Sequence, residues 1–240
     1  MTSFDNFFTS AFTVDNVIFG FDEGDLKVLL IQRGEDPFMG RWALPGYFVN
    51  PQEDLESAAY RVLKELTGLS NVYLEQVGSF GKVDRHPFGR VITVAYYSLI
   101  KINDYKLLPA SIAQKAKWHA VADVNNLELA FDHDEILKAC FQRLKLVVRT
   151  RPVGFELLPP QFTLTELQHL YEAILETDLD KRNFRKKILS MNLLVDLGQT
   201  QAGVAHRPAR LYQFDKQKYQ EFLSDGFSFE VKESKKKGGR

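Results

Sequence analysis

From Leu55 to Gly68 apolar residues return at three- and four-residue steps: Leu55, Ala58, Ala59, Val62, Leu63 and Leu66. On a helix these fall along one side, and such a helix is stable only when a core covers that side. Gly68 supplies the stop, because glycine takes the left-handed turn that ends a helix. Arg61 and Glu65 stand four residues apart on one face, where they can pair; the same spacing is also common on helices that merely face water. Val62 and Leu66 read as core packing. Whatever the chain folds into must include a layer for this helix to rest on.

Strand-like segments supply that layer. Phe12 to Phe21 alternates and is rich in Val, Ile and Phe, Leu26 to Gln32 is a second apolar run, and the acidic turn Asp22-Glu23-Gly24-Asp25 between them predicts a hairpin. Val72 to Phe80, Val91 to Ile100 and a shorter piece from Ala116 to Val124 read as further strands. Asp132 is placed to cap a helix beginning near Glu135 and running to about Val148. The connection from Gly81 to Arg90 is dense in charge and rings. Beside a cleft, its Lys82, Asp84, Arg85, His86 and Arg90 would hydrogen-bond a polyhydroxyl or phosphorylated ligand; the plain alternative is an exposed turn with internal ion pairs. His119 and His133 have no metal-ligand spacing with a second His or Cys, so zinc is not expected. Cys140 falls in the helical pattern Ile136, Cys140, Leu144 and reads as a buried thiol.

Arg149 to Pro160 contains three prolines and a glycine and reads as a linker, dividing an α+β domain over residues 1–150 from a second domain over 151–240. Thr163-Leu-Thr-Glu166 is a capping box opening a helix with Leu164, Leu167, Leu170, Tyr171, Ile174 and Leu175 on its apolar side. Asp180 can cap the next helix, Lys181 to Met191, which buries Phe184, Ile188 and Met191. Its other side carries Arg182, Asn183, Lys186 and Ser190, with Arg185 and Lys187 on the flanks. Formal net charge is zero, yet nine basic and only two acidic side chains lie between Lys181 and Lys218. A merely solvated basic helix would usually carry acids for pairing, and none occurs from Lys181 to Met191. Arginine suits guanine edges, asparagine suits adenine and lysine suits phosphate, so this helix can enter a major groove. Leu193 to Gln199 and Arg210 to Phe214 alternate as two short strands. Two helices followed by this hairpin make a winged helix, in which His206, Arg207 and Arg210, with Lys181 at the helix start, would reach phosphates or a minor groove.

The stretch from Gly46 to Leu69 also resembles a Nudix box. In that family a glycine is followed after five residues by a glutamate and after seven more by Arg-Glu-x-x-Glu-Glu-x-Gly. Glu53, Arg61, Glu65 and Gly68 are in register, and the lead-in Trp42-x-x-Pro45-Gly46 is similar too. Tyr47 stands where the box has glycine, and Val62 and Leu66 where it has two of three metal-ligating glutamates. Magnesium needs several oxygen ligands to support diphosphate hydrolysis. The resemblance therefore implies an α/β/α sandwich without the family's usual chemistry: no catalytic residue, no metal and no cofactor.

Joined to a winged helix containing Asp180-Lys-Arg-Asn-Phe-Arg-Lys-Lys187, this box resembles the Nudix-related transcriptional regulators, over Phe12 to Phe214. The resemblance implies a homodimeric repressor on double-stranded operator DNA, released or rearranged by a small molecule in the Nudix cleft. Arg33, Trp42, Tyr47, Lys82, Asp84, Arg85 and Arg90 are the expected ligand contacts. One branch of these regulators senses ADP-ribose and controls NAD metabolism, and another responds to pentoses and controls sugar utilisation. The missing carboxylates favour a neutral pentose, L-arabinose first; ADP-ribose is the alternative, since Arg33, Arg85 and Arg90 can meet phosphates directly. A residual diphosphate hydrolase using Glu65, and a scaffold with a protein-binding winged helix, are the competing classes. No apolar run approaches the ~20 residues of a membrane span, so a cytoplasmic protein without membrane contact is expected.

Overall fold

The computed structural model describes residues 10–22, 24–70, 72–102, 113–151, 155, 157–203 and 207–224. Two compact units divide the chain within one helix, between Arg143 and Leu144. The first contains β1 (Ala11–Asp22), β2 (Asp25–Arg33), β3 (Trp42–Ala43), β4 (Gly46–Phe48), α1 (Leu55–Thr67), β5 (Glu75–Phe80), β6 (Val91–Lys101), β7 (Ala113–Ala120) and the start of α2 (His133–Thr150). Its mixed sheet runs β3-β2-β1-β6-β5, with β4 on β1 and β7 on β2. β1 and β6 are parallel, from Ala11 opposite Val91 to Phe21 opposite Lys101.

Strand parity decides which helix each residue meets. Val14 and Ile18 of β1, Leu29 and Ile31 of β2, and Val94, Tyr96 and Ile100 of β6 form one buried cluster with Ala58, Ala59, Val62, Leu63 and Leu66 of α1. The next residues along face the other way: Phe19 meets Phe141 of α2 at 6.1 Å, and Asp15 meets His133. This is the expected sandwich. α1 begins at Asp54, whose side chain accepts the N–H of Ser57, and ends at Gly68 with φ 80°.

Several boundaries differ from expectation, among them the start of β5 at Glu75 instead of Val72. β7 stops at Ala120, opposite Lys27, because its partner β2 begins at Asp25; Val121–Asn126 then coils into a 3-10 turn. Asp132 does not present its carboxylate to the helix it precedes. Its backbone oxygen accepts from Glu135 and Ile136, while both carboxylate oxygens take N–H groups of Arg85.

The second unit holds α3 (Leu164–Leu175), α4 (Lys181–Ser190), β8 (Leu194–Thr200), β9 (Arg210–Phe214) and α5 (Lys216–Ser224). The capping box forms as read, with Thr163 and Glu166 bonding reciprocally. Gln168 and Glu172 of α3 hold Leu179, bracing the turn into α4. Tyr171 and Phe184 meet edge to face at 5.4 Å. A bridge between Phe162 and Tyr212 adds a third edge to the β8-β9 hairpin. Within the segment read as a linker, α2 runs to Thr150 and Phe155 stacks on Phe214 at 4.1 Å.

Candidate functional site

A cleft of about 360 Å³ opens in the first unit at one end of β1, bounded by β4, the segment after β2, the loop between β5 and β6 and the start of α2. Five residues read as ligand contacts line it: Arg33, Tyr47, Arg85, His86 and Arg90. Trp42, Lys82 and Asp84 do not. Trp42 lies in β3 and meets His119 edge to face at 4.6 Å. Lys82 turns to Glu135, its Nζ 2.6 and 2.8 Å from the two carboxylate oxygens. Asp84 is exposed in the loop.

Beneath the cleft is a buried polar network. Asp15 accepts the hydroxyl of Thr93 at 2.7 Å and lies 3.6 Å from Arg85 and 3.4 Å from His133. Arg85 binds Asp132 in bidentate fashion at 2.7 and 2.9 Å, with only 3% of its side chain exposed. His133 accepts the backbone N–H of Leu44 at Nδ1, which leaves the proton of its neutral form on Nε2, toward Asp15. Burial lowers the His133 pKa, against the pull of Asp15 and Asp132. β4 approaches so closely that a Cβ on Gly46 would stand 1.8 Å from the Asp15 carboxylate, so glycine is required there.

Above this floor the cleft is walled by rings and guanidinium groups. His86 stacks on Phe131 at 5.2 Å and 14°, and the Arg33 guanidinium sits over the Phe131 ring at 4.9 Å. Phe48 and Phe88 meet His86 obliquely at 6.4 and 5.7 Å. Arg33 is fixed by the carbonyl oxygen of Pro37, to which its Nε donates at 2.8 Å; burial lowers its pKa. Burial, with Arg85 and Arg33 nearby, likewise holds His86 below the usual histidine range. Such a wall combines planar stacking surfaces with cations, a combination suited to a ligand carrying both a ring and anionic groups. Asp15, Phe48, Phe88 and Phe131 were not singled out in the sequence, and His133 was weighed there only as a zinc ligand. Asp15 had one signal, a carboxylate inside an apolar strand.

The box residues lie at the edge of this cleft and on α1. Arg61 donates to both carboxylate oxygens of Glu53, to Glu65 at 3.1 Å and to the carbonyl of Phe48 at 2.9 Å, tying α1 to β4. The Arg61 hydrogen bond and the Asn50 N–H hold Glu53 at about 2, well below its ordinary value. Val62 and Leu66 are buried in the core. Among the described residues no three His, Cys, Asp or Glu side chains are grouped as cation ligands would be.

In the second unit, Lys181, Arg182, Asn183, Lys186, Lys187 and Ser190 of α4 are exposed, while Phe184 and Ile188 are buried. Arg185 is half-buried and donates to the Thr165 hydroxyl at 3.0 Å, linking α4 to α3. On the hairpin Arg207 is exposed and Arg210 pairs with Asp196 at 2.9 Å. His206 lies outside the described residues.

Comparison with known proteins covers both units. Residues 10–140 match the NUDIX domain and residues 154–214 the NrtR DNA-binding winged helix domain. The chain is 40% identical over 209 residues to an ADPR responsive transcriptional repressor NtrR of Acinetobacter baylyi, spanning 86% of this chain and 83% of that one. It is similar to the crystal structure of Shewanella oneidensis NrtR complexed with a 27mer DNA, with TM-score 0.74 and 31% identity, covering 93% of this chain and 99% of that one. It is also similar to the NUDIX domain of Shewanella oneidensis NrtR complexed with ADP ribose, with TM-score 0.54 and 34% identity, covering 60% of this chain and 99% of the other. With both domains matched in order and a relative of this identity along most of its length, the chain belongs to the NrtR family of Nudix-related transcriptional regulators.

Proposed function

We propose that this protein is a repressor that binds double-stranded operator DNA through α4 and the β8-β9 wing, and that ADP-ribose in the first unit's cleft releases it. One observation carries the choice of effector: the cleft combines the Arg33 and Arg90 guanidinium groups with the His86, Phe48 and Phe88 rings. A diphosphate needs cations and a base needs stacking surfaces; a neutral pentose needs neither. The expectation of L-arabinose rested on the missing box carboxylates. That argument loses force where arginines can offset phosphate charge without a metal, and the relatives point to ADP-ribose. A homodimer on a palindromic operator is part of the proposal, on family grounds.

A non-catalytic cleft fits the same reading. Glu65 is engaged by Arg61, and the two positions that would complete a metal site are core aliphatic residues. The test is operator binding by the full chain, titrated separately with ADP-ribose and L-arabinose, with and without Mg²⁺. Release by ADP-ribose alone, with the nucleotide recovered intact, is expected. Release by L-arabinose, or Mg²⁺-dependent hydrolysis of ADP-ribose abolished in Glu65→Gln, would overturn the reading.

A further inference from the structure

Lys82 is one of three expected ligand contacts that the cleft leaves out, and its actual partner suggests another role. The loop from Gly81 to Arg90 supplies His86, Phe88 and Arg90 to the cleft wall. The same loop is fastened twice to the start of α2: Lys82 to Glu135 at 2.6 and 2.8 Å, and Arg85 to Asp132 at 2.7 and 2.9 Å. It is also closed on itself, since Arg90 donates to the carbonyl of Gly81 at 2.5 Å. The loop is thus closed at its base and tied at two points to the start of α2. α2 is one unbroken helix from His133 to Thr150, and the division between the two units falls inside it.

Resting on the effector reading above, we infer that Lys82 and Glu135 are positioning residues that couple occupancy of the cleft to the DNA-binding unit. A ligand that engages the loop shifts the first turn of α2, and the helix carries the shift to its far end through its own backbone hydrogen bonds. Coupling of this kind requires a contact that keeps loop and helix together while both move. The Arg85 and Asp132 pair lies under the cleft and cannot be altered without disturbing the ligand site. The Lys82 and Glu135 side chains are 63% and 45% exposed, so they can be changed while the core is left alone. The hydrogen bond to Glu135 raises the Lys82 pKa above its ordinary value.

The experiment uses full-length Lys82→Glu, Glu135→Lys and the charge-swapped double variant. For each, the operator Kd is measured without and with saturating ADP-ribose, and the ADP-ribose Kd without DNA. Each single variant places like charges together. The ratio of operator Kd values with and without ADP-ribose is expected to fall by about fivefold, the scale of one exposed pair plus the repulsion that replaces it. ADP-ribose affinity without DNA should stay within about twofold of the parent. The double variant should restore the ratio, because it re-forms the ion pair with its charges exchanged. An unchanged ratio in both single variants, or no recovery in the double, overturns the coupling role while the effector reading stands. A parent protein that ignores ADP-ribose overturns both.

Discussion

At the scale of single residues, the site depends on charges held away from water. Arg85 is the clearest case, because its guanidinium offsets two carboxylates, Asp132 at 2.7 Å and Asp15 at 3.6 Å, within a pocket floor almost closed to solvent. Removing one partner of a buried pair leaves the other uncompensated. Arg85→Met is therefore expected to destabilise the first unit by about 3–5 kcal/mol, measured by urea unfolding, and not merely to weaken ligand binding. A loss below about 1 kcal/mol would mean that water reaches these carboxylates in solution. Glu53 offers a pH test. Its folded pKa of about 2 lies below the ordinary value of 4.5, so its stabilising contribution is present above the ordinary value and lost as pH falls from there through about 2. Carboxyl NMR should give a Glu53 midpoint near 2 in the parent and a return toward the ordinary range in Arg61→Met. Equal midpoints in the two proteins would remove the Arg61 pair as the cause.

At the scale of elements, α4 separates two kinds of contact. Arg182 and Asn183 stand in its first turn, exposed and on the side opposite Phe184 and Ile188. In the proposed complex each reads a base edge, so Arg182→Ala or Asn183→Ala should cost about 1–3 kcal/mol on the preferred operator and relax base preference at one position. Lys187→Ala should weaken all sequences alike and lower the salt slope by about one. A panel of operator variants measured at several salt concentrations distinguishes these outcomes. Uniform loss in all three variants would leave α4 as a phosphate contact only. Arg185 belongs to neither class, for its bond to Thr165 makes it part of the joint between α3 and α4.

At the scale of the whole molecule, the proposal makes the two units thermodynamically linked. If ADP-ribose releases DNA, linkage requires operator DNA to weaken ADP-ribose binding by the same factor. Calorimetric titration of ADP-ribose into free protein and into the operator complex measures both. Equal affinities in the two titrations would rule out the link. Without DNA, ADP-ribose at about 100 times its Kd should raise stability by about 2.7 kcal/mol, visible as a higher Tm of the first unit.

Much of the fold was legible because its signals are local. The apolar stripe of α1, its stop at Gly68, the Thr163 capping box and the two-sided character of α4 all follow from residues a few positions apart. The short helix α5 was not read from the sequence, and the end of β7 depended on where its partner strand stops. The candidate cleft was legible only in part. Arg33, Tyr47, Arg85, His86 and Arg90 were expected there and do line it. Local spacing could not tell Lys82, which leaves the cleft for Glu135, from Arg85, which lies beneath it, because both partners lie far away in the chain. The bonds that build the floor join residues 47, 78 and 89 positions apart, Arg85 to Asp132, Asp15 to Thr93 and Leu44 to His133. The sequence by itself determined which elements form and which helix faces carry charge, since periodicity and capping are properties of neighbouring residues. Only the tertiary structure decided which charges are neutralised inside and which rings face the cleft, since burial and ion pairing depend on the whole sheet closing around Asp15.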